Sequence, residues 1–208
     1  ENSAVIAYRL ARLINCPVVA TGEEDYVSDG TRVFAVPHGH PIMTAVTGTG
    51  CLLGAVLAAF FSAYYPCKNR LSIGEFLAYA LAYYGLAGEG AVQVSGVQPG
   101  SFSVAFMDSL YTLDDAVLIS ENRIRPVVVP DQLQVYFISG TQDVELNEHR
   151  LLSIVEDACR GGVTCFQFRE KGAGTLVGQQ KLELARQLKQ ICTKYNVLYI
   201  INDDVDLA

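Results

Sequence analysis

Short apolar runs and long apolar stretches alternate through the first 120 residues. Cys16–Ala20 (CPVVA), bounded by Asn15 and Thr21-Gly22, predicts a buried strand. Tyr26-Val27 and Val33–Val36 flank Asp29-Gly30, a dipeptide that favours a tight hairpin. Glu23-Glu24-Asp25 and His38–Pro41 read as turns. Thr47–Gly50 leads into an apolar run that predicts a helix to about Tyr65. Ser72-Ile73-Gly74-Glu75 has capping-box spacing and opens a second apolar helix, to about Val94. Gly96–Gly100 is a loop, and Ser101–Leu113 reads as a last helix.

The pattern changes after residue 120. Residues 120–133 carry Pro126, Pro130 and two Arg with no helical period, and are read as a linker. From Gln134 onward, Gln134–Ser139, Cys165–Arg169 and Leu198–Asn202 read as strands. Glu145–Arg160 and Thr175–Lys194 read as the helices between them. Strands alternating with helices of this length imply βαβ units with parallel pairing. Three parallel strands alone leave their edges unpaired, so this segment reads as the beginning of a larger α/β domain.

Val46–Tyr65 is a run of residues without a charge, long enough to raise the question of a membrane span. Its first residues include Thr47, Gly48, Thr49 and Gly50, Pro66 follows it, and few Lys or Arg flank it, so a buried core helix is the favoured reading. The chain has 15 Lys+Arg against 22 Asp+Glu, a net charge of −7, which provides no general field for nucleic acid or anionic lipid. The 6 Cys show no C-x-x-C, which suits reduced thiols and a cytoplasmic setting. The opening ENSAVIAYRLARL is no signal peptide, and it lacks a Met, so the natural start is expected upstream.

Thr47-Gly48-Thr49-Gly50-Cys51 stands at the start of a helix, with Cys51 expected as the first helical residue. Glycines allow a tight turn, and the helix start adds unpaired N–H donors and a partial positive charge. Together these make an anion hole for a phosphate or a phosphoryl transition state. CPVVATGEEDYV, the hairpin, GHPIMTAVTGTGCLLGAVLAAF, the long Ala/Tyr helix and PGSF together resemble the C-terminal half of hydroxyethylthiazole kinase. The resemblance implies a partial ribokinase-like α/β domain over residues 1–119. It also implies ATP- and Mg²⁺-dependent phosphorylation of a thiazole alcohol. It places Thr21 at ATP, Gly48 and Gly50 at the anion hole with Gly48 also at the thiazole, and Cys51 beside the substrate hydroxyl. Loose phosphoryl transfer needs little base assistance, so the backbone N–H groups outweigh the thiol. Glu23-Glu24-Asp25 as a metal site, and His38-x-His40 as a zinc pair, are weighed against ordinary turns, and the turns are preferred.

Gln167-Phe168-Arg169-Glu170-Lys171 ends one strand, and Asn202-Asp203 ends the next. Arg and Lys together can grip a diphosphate, and Asp can bind Mg²⁺ through oxygen. QVYFISGTQD, GGVTCFQFREKGAGT and YIINDDVDLA resemble thiamine-phosphate synthase over residues 134–208. That resemblance implies the first three βα units of a (β/α)8 barrel. It implies that Gln167, Arg169, Lys171 and Asn202 bind hydroxymethylpyrimidine diphosphate and that Asp203 binds Mg²⁺. Phe168 replaces the family's usual aliphatic, and Asp204 stands where it usually has Arg, a reversal of charge beside the metal position. The expectation is a bifunctional thiamine-biosynthetic enzyme taking only small-molecule substrates, with no nucleic acid or membrane partner. The kinase resemblance implies a homo-oligomer. Because neither half is complete, the 208-residue chain alone is expected to be inactive. The alternatives are an inactive or regulatory binder of thiamine precursors and a two-helix membrane protein.

Overall fold

A computed structural model describes residues 2–68 and 70–208. The chain divides into two compact units, Glu1–Val127 and Val128–Ala208.

The first unit opens with α1 (Ser3–Ile14), which the sequence reading did not assign; Asn2 caps it by accepting from the Ala4 N–H at 2.9 Å. Strands β1 (Val18–Ala20), β2 (Asp25–Ser28) and β3 (Val33–Val36) form an antiparallel meander. The hairpin falls where Asp29-Gly30 placed it. Gly30 takes φ 84°, and Asp29 Oδ1 accepts from the Thr31 and Arg32 N–H groups. Beyond a 3-10 turn at Pro41–Ala45, α2 spans Thr49–Ala63. The Ser72 hydroxyl caps α3 (Ile73–Ser95) by accepting from Glu75 N–H at 3.2 Å. Helices α4 (Pro99–Thr112) and the unforeseen α5 (Asp115–Ser120) complete the helical layer.

The supposed linker is partly structured. Arg125–Val127 forms β4, paired antiparallel with β3, and Pro130–Leu133 is a 3-10 turn. Pro126 hides a strand from pattern reading because it lacks an N–H, yet an edge strand tolerates it.

The core of this unit lies between β2–β3 and α3–α4, around Val27, Phe34, Leu81, Phe102 and Phe106. The packed face of α3 is small: Ala78, Ala82, Gly85 and Ala87 are buried, so neighbouring backbone comes close. Helix α2 corrects an expectation. Its apolar run predicted a core helix, but only Leu53 is buried and Phe61 is 54% exposed. An apolar stretch shows what can be buried; which of its faces finds a neighbour is decided by packing. Among the described residues no helix is long and apolar enough to cross a membrane.

In the second unit β5 (Tyr136–Ser139), β6 (Cys165–Phe168) and β7 (Leu198–Ile201) form a parallel sheet in that order. Helices α6 (Glu148–Arg160) and α7 (Gly178–Lys194) supply the crossovers. Their apolar faces meet Phe166 and Phe168 through Leu151, Val155, Leu184 and Leu188. Helix α6 starts later than its pattern suggested. Thr141–Val144 is a 3-10 turn, Glu145 and Leu146 take positive φ, and Asn147 then caps the helix at Arg150 N–H. Strand alternation turns Ile138 away from the helices, where it is 49% exposed.

Candidate functional site

Each unit gathers one cluster of polar groups. In the first, the turn between β1 and β2, the 38–44 segment, the start of α2 and the middle of α3 enclose a cleft of about 560 Å³. Its lining includes Thr21, Asp25, His38, Thr49, Gly50 and Tyr84. Thr21 and Gly50 both line it. Gly48 and Cys51 flank the cleft without lining it.

Gly48 is the N-cap of α2 at φ 97°, a conformation that favours glycine. The helix begins at Thr49, so Cys51 is its third residue and not its first; it is exposed. The first bond of the helical ladder runs from Leu52 N–H to Gly48 C=O at 2.9 Å. Helix geometry leaves the Thr49, Gly50 and Cys51 amides without intrahelical acceptors. A Cβ on Gly48 or Gly50 would enter open space. This first turn is held from behind. The Thr49 hydroxyl donates to Met43 C=O at 2.9 Å, and the Tyr84 hydroxyl donates to Thr49 C=O at 2.6 Å. Burial pushes the Tyr84 phenol up to about 12, so it stays a donor.

Sequence reading missed the buried polar lining. Asp25 Oδ1 accepts from Gly22 N–H at 2.9 Å, and burial raises its carboxyl above the usual range. Glu24 instead takes both oxygens to Arg125, at 2.7 and 2.9 Å, and accepts from the Tyr26 hydroxyl. His40 caps the 3-10 turn through Nδ1, and His38 is sequestered, so they make no zinc pair. Among the described residues no three His, Cys, Asp or Glu cluster as metal ligands.

The His38 side chain is fully covered. Its Nε2 lies 3.2 Å from Arg123 N–H, and its Nδ1 lies 3.0 Å from the Arg123 guanidinium and 3.6 Å from Glu89 Oε1. Glu89 also accepts from Gly39 N–H at 2.9 Å and from the Arg123 guanidinium at 2.5 Å. Burial first, then Arg123, lowers the affinity of His38 for a second proton, while Glu89 and Glu121 oppose them. As pH falls, the unfolded chain therefore takes up that proton before the folded one. Stability is complete above the unfolded value of ~6.5. It is lost as pH falls from there toward the folded value. The melting temperature of the first unit should fall between about pH 7 and pH 5, and His38→Gln should flatten that slope. An identical slope in the variant would count against the assignment.

The second cluster lies at the C-terminal ends of β6 and β7. Gln167 Nε2 donates to Asn202 Oδ1 at 3.1 Å, while Asn202 Nδ2 is buried without a partner. Lys171 Nζ bonds to Asp203. Asp203 takes φ 56° because β7 has ended at Ile201, so the chain turns where strand alternation would have continued. The Lys171 bond chiefly, with a smaller contribution from the Arg169 charge, holds the Asp203 carboxyl below its ordinary range. Asp204 turns elsewhere, bonding Lys181 Nζ at 2.6 Å and accepting from Leu207 N–H at 3.1 Å. Lys181 on α7 thus answers the charge that looked anomalous in sequence. The structure brings Gln167, Lys171, Asn202 and Asp203 together, with Arg169 close enough to act on Asp203.

A glycine-bounded helix start beside a polar cleft, and charged residues at parallel strand ends, define a mixed α/β protein with two separate candidate sites for anionic ligands. The chain belongs to the hydroxyethylthiazole kinase family, which matches residues 1–116, and residues 135–208 match the thiamine monophosphate synthase family. A thiamine biosynthesis bifunctional protein of Symbiobacterium thermophilum is 34% identical over 97% of this chain and 40% of that protein. A thiamine-phosphate synthase of Streptococcus pneumoniae is 55% identical over 36% of this chain and 35% of its own length. A hydroxyethylthiazole kinase of Moorella thermoacetica is 43% identical over 59% of this chain and 43% of its own. The solved hydroxyethylthiazole kinase of Pyrococcus horikoshii superposes with a TM-score of 0.53 at 35% identity, covering 60% of this chain and 46% of that one. The chain therefore spans less than half the length of these relatives.

Proposed function

We propose that the protein catalyses two consecutive steps of thiamine biosynthesis. The first unit phosphorylates 4-methyl-5-(2-hydroxyethyl)thiazole with ATP. The second joins the thiazole phosphate to hydroxymethylpyrimidine diphosphate and releases pyrophosphate. The observation that carries this reading is the left-handed Gly48 under open space, with the Thr49–Cys51 amides beside a cleft that also holds Thr21. In the kinase step the substrate oxygen forms a bond to the γ-phosphorus as the bond to the bridging oxygen breaks. Fixed N–H donors at the start of α2 stabilise the charge there. Cys51 is assigned a place beside the hydroxyl and Gly48 a place at the thiazole; neither needs to act as a base.

In the second unit the parallel β5–β6–β7 sheet and its two crossover helices fit the first βα units of a (β/α)8 barrel. Such barrels place their chemistry at the C-terminal strand ends, where Gln167, Arg169, Lys171 and Asn202 would hold the pyrimidine diphosphate. A carboxylate kept ionised suits Mg²⁺, so Asp203 would hold the ion. When bound, it would supply positive charge to the departing diphosphate. The free Cys16, Cys51, Cys159, Cys165 and Cys192 suit a cytoplasmic enzyme, and the outward apolar face of α2 suits a homo-oligomer.

The two-site reading is tested in the intact gene product. Arg169→Ala should weaken pyrimidine diphosphate binding by about tenfold or more and leave thiazole phosphorylation unchanged. Asp203→Asn should raise the Mg²⁺ requirement steeply, whereas Asp204→Asn, whose carboxylate already serves Lys181, should not. Loss of the kinase step in Arg169→Ala, or equal behaviour of the two Asp variants, would refute the assignment.

A further inference from the structure

Within Gln167–Lys171 the three charged residues divide by direction. Arg169 and Lys171 are exposed, while Glu170 between them is 8% exposed. Its carboxylate accepts from three donors on two segments. Thr141 N–H reaches Oε2 at 2.9 Å, Leu176 N–H reaches Oε1 at 3.0 Å, and the Thr141 hydroxyl also bonds Oε1. Glu170 thus fastens the chain beyond β6 to the 3-10 turn that follows β5. The span it closes needs fastening, because Gly172 and Gly174 take positive φ and resist little by themselves.

The backbone of Arg169 is clamped by the same turn. Its N–H donates to Ser139 C=O at 3.0 Å, and its C=O accepts from Gln142 Nε2 at 2.7 Å. Gly140 presses so close that an added Cβ would stand 2.0 Å from the Arg169 carbonyl oxygen. The peptide units on both sides of Arg169 and the side chain after it are therefore anchored on the side away from the candidate ligand. Only a carboxylate suits the position. It is acceptor-only with about four lone-pair sites, whereas an amide would set an NH₂ against one of the N–H donors.

We propose that Glu170 is a positioning residue of the diphosphate site: by tying Leu176 and Thr141 together beneath the motif, it sets the direction in which Arg169 and Lys171 leave the end of β6. Glu170 itself faces away from the ligand and is no diphosphate contact. The proposal rests on the diphosphate reading of Arg169 and Lys171, and the test separates the two.

The 208-residue chain is titrated with inorganic pyrophosphate by NMR, following the Arg169 side-chain resonance, with amide hydrogen exchange measured in parallel. Glu170→Gln should raise the pyrophosphate Kd at least about tenfold. It should also speed exchange by a similar factor at Leu176 or Thr141, whichever amide meets the NH₂, while Leu151 and Leu184 in the core stay within about threefold of the wild type. Thr141→Ser, which keeps both donors, should match the wild type. If Glu170→Gln does not fold, Thr141→Val removes the hydroxyl donor alone and should raise the Kd about threefold. Wild-type pyrophosphate binding that is unaltered in the variant which folds, or Leu176 and Thr141 amides that both stay protected in Glu170→Gln, overturns the proposal alone. No pyrophosphate binding by the wild type overturns the diphosphate reading, and the proposal with it.

Discussion

Gly85→Ala should destabilise the first unit by about 3 kcal/mol, the upper end of the usual overpacking range. Gly85 lies in α3 where the helix crosses the segment leaving β3. A Cβ there would stand 2.5 Å from His38 Cβ, 2.7 Å from its carbonyl carbon and 2.9 Å from Gly39 N. Two of those atoms are backbone, so no rotamer change relieves the clash. The segment cannot retreat freely either, because Glu89 holds Gly39 N–H and Arg123 holds His38. A loss of that size lowers the melting temperature by about 10 °C for a domain of this length. Gly54→Ala in α2 is the control: its Cβ meets open space, and replacing a mid-helix Gly should stabilise by about 0.5–1 kcal/mol. A Gly85→Ala melt within about 2 °C of the wild type would show that the close approach is not rigid.

Gly50→Val should lower thiazole phosphorylation by about 10²–10³-fold in the intact gene product, the usual scale for losing one such donor. Gly50 has helical geometry and free space above it, so valine adds no backbone strain and its branches project beside the amides. The melting temperature should therefore stay close to the wild type, which separates blocked ligand approach from unfolding. Gly48→Val should lose at least as much activity, and some stability as well, because a β-branched residue at φ 97° is strained by about 1–3 kcal/mol. Cys51→Ser should cost less than either, since the thiol is exposed outside the cleft lining. Near-normal turnover in both glycine variants would remove the anion hole from the mechanism.

The elements legible in the sequence share a local cause. Asp29-Gly30 makes its turn with its own backbone, Ser72 caps its own helix, and the βα alternation after Gln134 reports its own periodicity. Gly48 and Gly50, and the strand-end group from Gln167 to Asp203, were legible for the same reason, because turns and strand ends carry their chemistry within a few residues. Other features depend on distant partners. β4 exists because β3 offers it an edge, and α2 is exposed because its neighbours cover one side only. Glu145 and Leu146 break a helix that its composition favours. Asp25, His38 and Tyr84 became lining residues only when segments more than forty residues apart in sequence closed on one cleft.

Beyond the family that each half resembles, the sequence by itself determined the order of the main elements, though not α1, β4 and α5, and the two chemistry-bearing motifs. These depend on propensity, turn geometry and spacing, which act over a few residues. Only the tertiary structure decided which charges answer one another: Lys171 with Asp203, Lys181 with Asp204, Glu89 with Arg123, and the buried Glu170 with Thr141 and Leu176. Pairing of that kind depends on distances of a few ångströms between groups far apart in sequence. A side chain's charge is written in its residue type, but its partner is set by packing.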